Sequence, residues 1–327
     1  MATREFIPSI PQRFAGIFLT DAGYACENPP QNGGRRVGRL EYPTQHVFPN
    51  IPMSYADLHL HSNHSDGSDA PACVVQRAVA AGMVAMALTD HDTLSGVPEA
   101  RAEALLQGIT LLSGVEISAR FERREVHVMG LGIREDCPPL LDRLAALQLA
   151  RRDRVVRMVD QLRTAGIPLD ADRIRARTAG IAPGRMHVAV ELRDQGTTRS
   201  TQEGFDRFLN FGCPGYVPKE MMSVEEAIDL VHAADGLAFV GHPGLSKSLR
   251  QMLPKLLTLP FDGLEAYHIS HSPGRTDEFL QTARGRGLLI SGGSDCHGTA
   301  KTTPEMGKVR MPSTHFEAIQ AALHATS

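Results

Sequence analysis

From Tyr55 onward the apolar positions switch between a period of two and a period near 3.6. Tyr55 to His61 predicts a strand, with Leu58 and Leu60 on one face and Asp57, His59 and His61 on the other. Ala72 to Ala81 predicts a helix, with Pro71 in its first turn and Gly82 at its end. Val84 to Leu88 predicts a short buried strand leading into Thr89, Asp90, His91 and Asp92, and a helix follows over Pro98 to Leu106. Further strands are expected over Ile109 to Leu112, ending at Glu116, and over Val126 to Leu131. Between 137 and about 222 the rhythm breaks into a long charged amphipathic helix, Leu140 to Leu162, and shorter helical segments. It resumes at Ser223, whose spacing to Glu226 fits a capping box opening a helix to His232. Strands over Leu237 to Val240, Leu264 to Tyr267 and Leu288 to Ile290 complete the pattern.

Repeated strand–helix units predict an α/β fold with a parallel sheet or barrel. The expected organisation is a barrel core of 53–136 and 223–327, interrupted by a helical insertion domain at 137–222. Residues 1–52 carry scattered prolines and the Asn32-Gly33-Gly34 turn signal without a helical period, so they read as an irregular N-terminal extension.

Composition narrows the function. Hydrophobic residues are 42% of the 327, enough to bury a core. A net charge of −3 argues against a strongly cationic nucleic-acid coat, though not against a local basic pocket. No apolar run approaches the ~18 residues of a membrane span. Met1 to Phe14 lacks a signal-peptide core, so a cytoplasmic location is expected. The five cysteines are scattered with no CxxC pair, which disfavours a disulfide framework or a cysteine zinc site.

The 14 histidines carry more information, because several sit beside aspartate and glycine at strand ends. The clusters are His59-x-His61 with Asp66, Asp90-His91-Asp92, Glu116, His127, His242, and Asp295-x-His297. In α/β barrels the C-terminal strand ends build the active site. Two histidines two apart on a strand point to the same side. Imidazole and carboxylate without thiolate suit Mn, Zn or Fe, with Mn the first expectation, and this many ligand types exceeds one coordination sphere. A cluster of two to three divalent ions is the natural reading. His46, His64, His232, His315 and His324 lack such context.

Asp57-Leu-His59-Leu-His61-Ser with Ser65-Asp66-Gly67 resembles the opening motif of the PHP (polymerase and histidinol phosphatase) family. Leu88-Thr-Asp-His91-Asp92, Gly114-Val-Glu116-Ile-Ser118, Gly241-His242-Pro243-Gly244 and Gly293-Ser-Asp295-Cys-His297-Gly298 resemble its later motifs, in order. Arg185-x-His187, Tyr216-Val-Pro-Lys219 and Tyr267-His-x-Ser-His271-Ser make the chain similar to the nucleoside 3′,5′-bisphosphate phosphatase and short-RNA exonuclease group. The resemblance implies a distorted (β/α)7 barrel with a trinuclear metal centre. It implies one metal held by His59, His61, Glu116 and Asp295 and a second by Glu116, His127 and His242. The third would be held by Asp66, His91 and His297. His187 would be a further ligand or a phosphate contact.

The chemistry follows from those groups. Phosphoester oxygens repel a nucleophile, and clustered divalent ions neutralise them and lower the pKa of a bridging water towards ~7. The hydroxide so formed can attack phosphorus in line. His271 is the candidate acid for the leaving group, and Asp92 is a candidate to orient His91 or a bound water. Arg185 and Lys219 are candidate phosphate contacts in loops of the insertion. The arginines of Leu140 to Arg157, including Arg151 and Arg154, read as a solvated helix face. The leading expectation is a phosphatase acting on a small phosphorylated metabolite, most simply a nucleotide, at a phosphate monoester. A phosphodiesterase acting on a cyclic phosphate or on short RNA ends, and a non-catalytic PHP metal-binding module, are the alternatives. Amidohydrolases bridged by a carboxylated lysine fit less well, because no lysine lies between Tyr55 and Val217.

Overall fold

The computed structural model describes residues 54–178, 183–300 and 306–326; the predicted N-terminal extension, 1–52, lies outside them. In chain order the first half comprises β1 (Tyr55–Leu60), α1 (Pro71–Ala80), β2 (Met83–Leu88), α2 (Val97–Gln107), β3 (Thr110–Phe121) and β4 (Arg124–Leu131). A helical stretch follows, with α3 (Pro138–Thr164), α4 (Ala171–Arg177), α5 (Arg185–Asp194), α6 (Thr201–Gly204) and a π-helical turn at Phe205–Leu209. The second half comprises β5 (Met222–Ser223), α7 (Val224–Ala233), β6 (Leu237–Val240), α8 (Lys247–Leu256), β7 (Gly263–His268), α9 (Pro273–Arg286), β8 (Leu289–Gly293), β9 (Met311–Pro312) and α10 (Ser313–Thr326).

The strands form one sheet in the order β8-β7-β6-β4-β3-β2-β1-β9, with β5 beside β3. The sheet curls until its ends meet. Leu60 bridges Cys296, the His61 N–H donates to Cys296 O at 3.1 Å, and the Asp295 N–H donates to His59 O at 2.9 Å. The result is a nearly closed, distorted barrel whose wall is β1, β2, β3, β4, β6, β7 and β8. The distortion comes from β4, which runs antiparallel to both β3 and β6 while the other wall pairings are parallel.

Two consequences position the site. First, β3 does not stop near Leu112 but runs on to Phe121, paired with β4, so Glu116 lies inside a strand instead of beyond one. Second, reversal of β4 brings its N-terminal half, with His127, to the end where the parallel strands finish. Parallel strands are covered on both faces. Ala56 to Leu60 are accordingly all buried, on both faces of the strand. Gly293 makes the seam possible, since a Cβ there would strike the His59 backbone and lie 2.7 Å from Asp57 Oδ1.

The insertion has its own core. Met158, Leu162, Val188, Leu192, Leu209 and Val217 form a cluster separate from those of the barrel. Half of the capping box expected at Ser223 is present: its hydroxyl accepts from the Glu226 N–H at 3.1 Å, while the Glu226 carboxylate accepts from Arg143 Nε at 2.7 Å. Among the described residues, no helix is long and apolar enough to cross a membrane.

Candidate active site

The histidines and carboxylates of the strand ends converge. Glu116, fully buried on β3, is the hub: His127 Nδ1 lies 2.5 Å and His242 Nε2 2.9 Å from its Oε1. His91 Nδ1 lies 3.0 Å, His61 Nε2 3.2 Å and His59 Nε2 3.3 Å from its Oε2. Asp295 Oδ1 adds a contact of 3.2 Å to His61 Nε2, and His297 Nε2 lies 3.2 Å from Asp66 Oδ1. Four groups among the described residues are tight enough to hold an ion: His61, Asp66, His91 and His297; His59, His61, Glu116 and Asp295; His91, Glu116 and His127; and His59, Glu265 and His268. Asp295 has φ 52°, a left-handed kink, and Asp295 and His297 serve different groups.

The donor set fits divalent cations. His59 Nε2, both nitrogens of His61, His91 Nδ1 and Glu116 Oε2 are buried without a hydrogen-bond partner. Leaving a buried polar atom so costs about 1–3 kcal/mol. Burial pushes the Glu116 carboxyl up, but the charges of His127, His91 and His59 outweigh it and hold it well below its ordinary range. Asp66 behaves alike, with His297 and His91 overcoming burial. Burial alone would lower His127, yet Glu116 and then Glu125 lift it to about 10. His61 is lifted to about 9 against burial by Asp295 and Glu116. Carboxylates this crowded hold protons on their histidines where cations would otherwise balance them.

Supporting groups fix the rings. The His59 Nδ1–H donates to Glu265 Oε1 at 2.9 Å, and the His297 Nδ1–H donates to Asp295 O at 2.8 Å, so each presents the Nε2 lone pair. Glu265 also accepts from the His242 N–H at 2.5 Å. Glu265 lies within a predicted strand as an ordinary glutamate, and no local spacing singled it out. His268 was quoted only as part of a motif, yet it stands with Glu265 and His59. Glu125 Oε1 lies 3.3 Å from His127 Nε2, because residues two apart on β4 share a face.

Two sequence expectations do not fit this geometry. His271 has no hydrogen left for a leaving group: its Nδ1–H donates to Ala266 O at 2.9 Å and its Nε2 accepts the Gly244 N–H at 3.1 Å. It is a backbone strut behind the loop that carries His242. Asp92 does not orient His91. Its Oδ1 accepts the Ser118 N–H at 2.7 Å, and its Oδ2 accepts from Arg151 Nε at 2.8 Å and from Arg151 Nη2.

That arginine overturns a third expectation. Arg151 and Arg154 are not on a solvated face but in the wall of a cavity of roughly 180 Å³, also lined by Asp66, His91, His127, Arg185 and Lys219. Arg154 is 7% exposed, with Nε donating to Val217 O at 2.8 Å. Arg152 and Arg157 on the same helix do face solvent. Burial, then the charges of Arg185 and Arg151, brings Arg154 down to about 10. Arg185 opens α5 instead of lying in a loop, with its guanidinium 5.6 Å from the Phe205 ring centre. Lys219 Nζ donates to Ser118 Oγ at 2.5 Å and Glu125 Oε1 at 2.6 Å. His187 accepts the Gly184 N–H on Nδ1 at 3.1 Å, which leaves a hydrogen, not a lone pair, on Nε2 of the neutral ring.

Known proteins resemble this chain in sequence and fold. The PHP domain profile matches residues 57–196. The 3′,5′-nucleoside bisphosphate phosphatase of Chromobacterium violaceum is 35% identical over 261 residues, 78% of this chain and 91% of that one. The chain belongs to the PHP family. The 5′-3′ exoribonuclease Rnm of Escherichia coli is 34% identical over 248 residues, 74% of this chain and 84% of its own. A solved structure described as a metal-dependent phosphoesterase of Bifidobacterium adolescentis superposes with TM-score 0.75 at 28% identity over 83% of this chain and 97% of that one. This PHP protein is therefore a metal-dependent hydrolase of phosphoester bonds.

Proposed function

We propose that the enzyme removes a phosphate from a nucleoside 3′,5′-bisphosphate or a closely related small nucleotide, at a centre of two to three divalent ions, Mn first among them. His59, His61, Glu116 and Asp295 would hold one ion. Glu116 with His127 and His242 would hold a second, and Asp66, His91 and His297 a third. Such ions supply charge neutralisation and an activated water. The protein supplies the rest: the imidazoles and carboxylates are held rigid by Glu265, Glu125 and the barrel seam, and a cation-rich wall faces them.

One observation carries the substrate class. Arg151, Arg154, Arg185 and Lys219 line the cavity whose other wall is Asp66, His91 and His127. Carboxylate partners answer only part of that charge, Asp92 for Arg151 and Glu125 for Lys219. A monophosphate needs only the ion cluster. A second phosphate on the same molecule rewards fixed donors a few ångströms away, and its binding aligns the reacting phosphorus. His187 fits this role as an N–H donor. The names of the two curated relatives, one a bisphosphate phosphatase and the other an exoribonuclease, are consistent with anionic nucleotide substrates. Occurrence in the cytoplasm is part of the same proposal.

A Mn-supplemented phosphate-release screen tests it, covering nucleoside 3′,5′-bisphosphates, mononucleotides, cyclic phosphates, sugar phosphates and short RNA. The bisphosphates are expected to give the highest kcat/KM. Turnover confined to cyclic phosphates or RNA ends would replace this reading with the phosphodiesterase one. Arg185→Ala and Lys219→Ala should each lower kcat/KM on the bisphosphate about ten- to a hundred-fold, and less on an aryl phosphate. Equal losses on both would place these side chains at the reacting phosphate. Elemental analysis after reloading should find two to three metals per chain, and a stoichiometry at or below one removes the cluster.

A further inference from the structure

We propose that His268, although it stands in the ligand shell, is not a metal ligand but a fixed Nε2–H donor to the phosphoryl oxygens. The proposal rests on the phosphoesterase reading above and names one more residue that would touch the substrate. His268 closes β7 and is buried, and its Nε2 points at the centre, 3.6 Å from Asp295 Oδ2. No hydrogen bond of ordinary length reaches that nitrogen, and the carboxylate of Asp295 is the group that faces it. With His59 and Glu265 it is close enough to share one ion, so position alone would make it a ligand.

The other ring nitrogen decides otherwise. The Ser270 backbone N–H donates to His268 Nδ1 at 3.1 Å, and the Ser270 hydroxyl lies 2.7 Å from the same atom. A backbone N–H can only donate, so Nδ1 carries the lone pair. A neutral imidazole has one lone pair and one N–H. The hydrogen is therefore on Nε2, which has nothing to give a cation. His59 and His297 show the opposite arrangement, donating from Nδ1 and freeing Nε2. The short turn after β7 thus sorts His268 from its neighbours: it sets the tautomer through one main-chain hydrogen bond. A buried donor aimed at a centre that gathers phosphate oxygens contributes most where negative charge grows, as the phosphoryl group is transferred. No proton changes hands in this role.

The test uses the full-length protein loaded with metal. His268→Ala removes the donor, whereas His268→Gln keeps an N–H at nearly the same reach. His268→Ala is expected to bind as many metal equivalents as the unaltered protein and to lose roughly 100- to 1,000-fold in kcat on a nucleoside bisphosphate. His268→Gln should recover most of that loss. Long-range proton–nitrogen NMR on the zinc-loaded protein, with the resonance assigned by its absence in His268→Gln, should show the Nε2–H tautomer. Loss of a metal equivalent in His268→Ala, an Nδ1–H tautomer, or full activity in His268→Ala would each overturn the proposal. If the unaltered protein hydrolyses no phosphate ester, the function fails separately, and the tautomer and metal count still decide whether His268 is donor or ligand.

Discussion

Asp90 and Asp92 flank the same histidine and do unrelated things. Asp90 ties a loop, accepting the Ser62 N–H at 2.7 Å and the Ser65 hydroxyl at 2.5 Å. Asp92 holds Arg151 across the junction of barrel and insertion. Burial pushes its carboxyl up, but the charges of Arg151 and then Lys219, with the Ser118 N–H, hold it below the ordinary range. A carboxyl depressed by folding stabilises the protein above its unfolded pKa, and the contribution disappears as pH falls through the folded value. Asp92→Asn should therefore cost about 3 kcal/mol near pH 7, where it leaves Arg151 buried and unpaired. The difference from the unaltered protein should shrink towards pH 3. Urea denaturation of chelator-treated protein across that range measures it, and a gap independent of pH would contradict the assignment. Most of the residues expected at the site are legible because they sit in short runs of histidine, aspartate and glycine, whereas His127 stands between valines and is singled out by its place on a strand. Arg151 and Glu265 are not, because nothing in their own neighbourhood distinguishes them from solvated or core-edge residues, and Glu125 is missed because the expected strand begins one residue after it. The proton inventory of His271 was equally invisible, since it depends on Ala266 O and Gly244 N–H.

At the scale of elements, the seven wall strands and the long helix are legible in the sequence, whereas the two-residue strands β5 and β9 and three helices are not. α3 spans Pro138–Thr164 where Leu140 to Leu162 was expected, because its apolar residues recur at helical spacing. α9 carries Ser272 before Pro273 at its start and left-handed Gly287 at its end, but buries only Phe279, Leu280 and Ala283, too few to set a period. α8 holds Pro254 inside it, which argues locally against a helix, and α10 was passed over as well. The extension of β3 beyond Leu112 is a tertiary effect, since β4 supplies the partner that prolongs it. The seam offers a test of how far the site depends on closure. In Gly293→Ala the new Cβ meets backbone, which cannot step aside as a flexible side chain can. Overpacking of this kind typically costs about 1–3 kcal/mol. We expect a lower melting temperature together with reduced metal content, because the strain falls between His59 and Asp295. Unchanged metal loading would mean that the site does not feel the seam.

For the whole molecule, metal binding and protonation compete for the same atoms. Burial opposes a charge on His59, yet Glu265, Glu116 and Asp295 lift it well above its ordinary value, as Asp295 and Glu116 lift His61 to about 9 and Glu116 lifts His127 to about 10. Without ions the surrounding carboxylates thus favour a proton on these rings, most plainly on His61 and His127. Ligation needs their lone pairs, so loading should expel roughly two to three protons per chain. Titrating Mn into chelator-stripped protein in weakly buffered solution at pH 7, with a pH indicator present, should show acidification, and metal affinity should rise with pH over this range. Loading without proton release would remove these histidines from the ligand set.

The insertion enters the chain between β4 and β6, and α3, α5 and the segment ending at Lys219 supply the cationic wall opposite residues that the barrel strands supply. A change in which molecule is cut can then arise within one uninterrupted stretch of the gene, while the codons for the ion cage stay untouched. Duplication, exchange or trimming of that stretch would spread new specificities through descendants without each one having to rediscover hydrolysis. Such exchanges are constrained at the junction: an incoming segment must bring cations to meet Asp92 and Glu125.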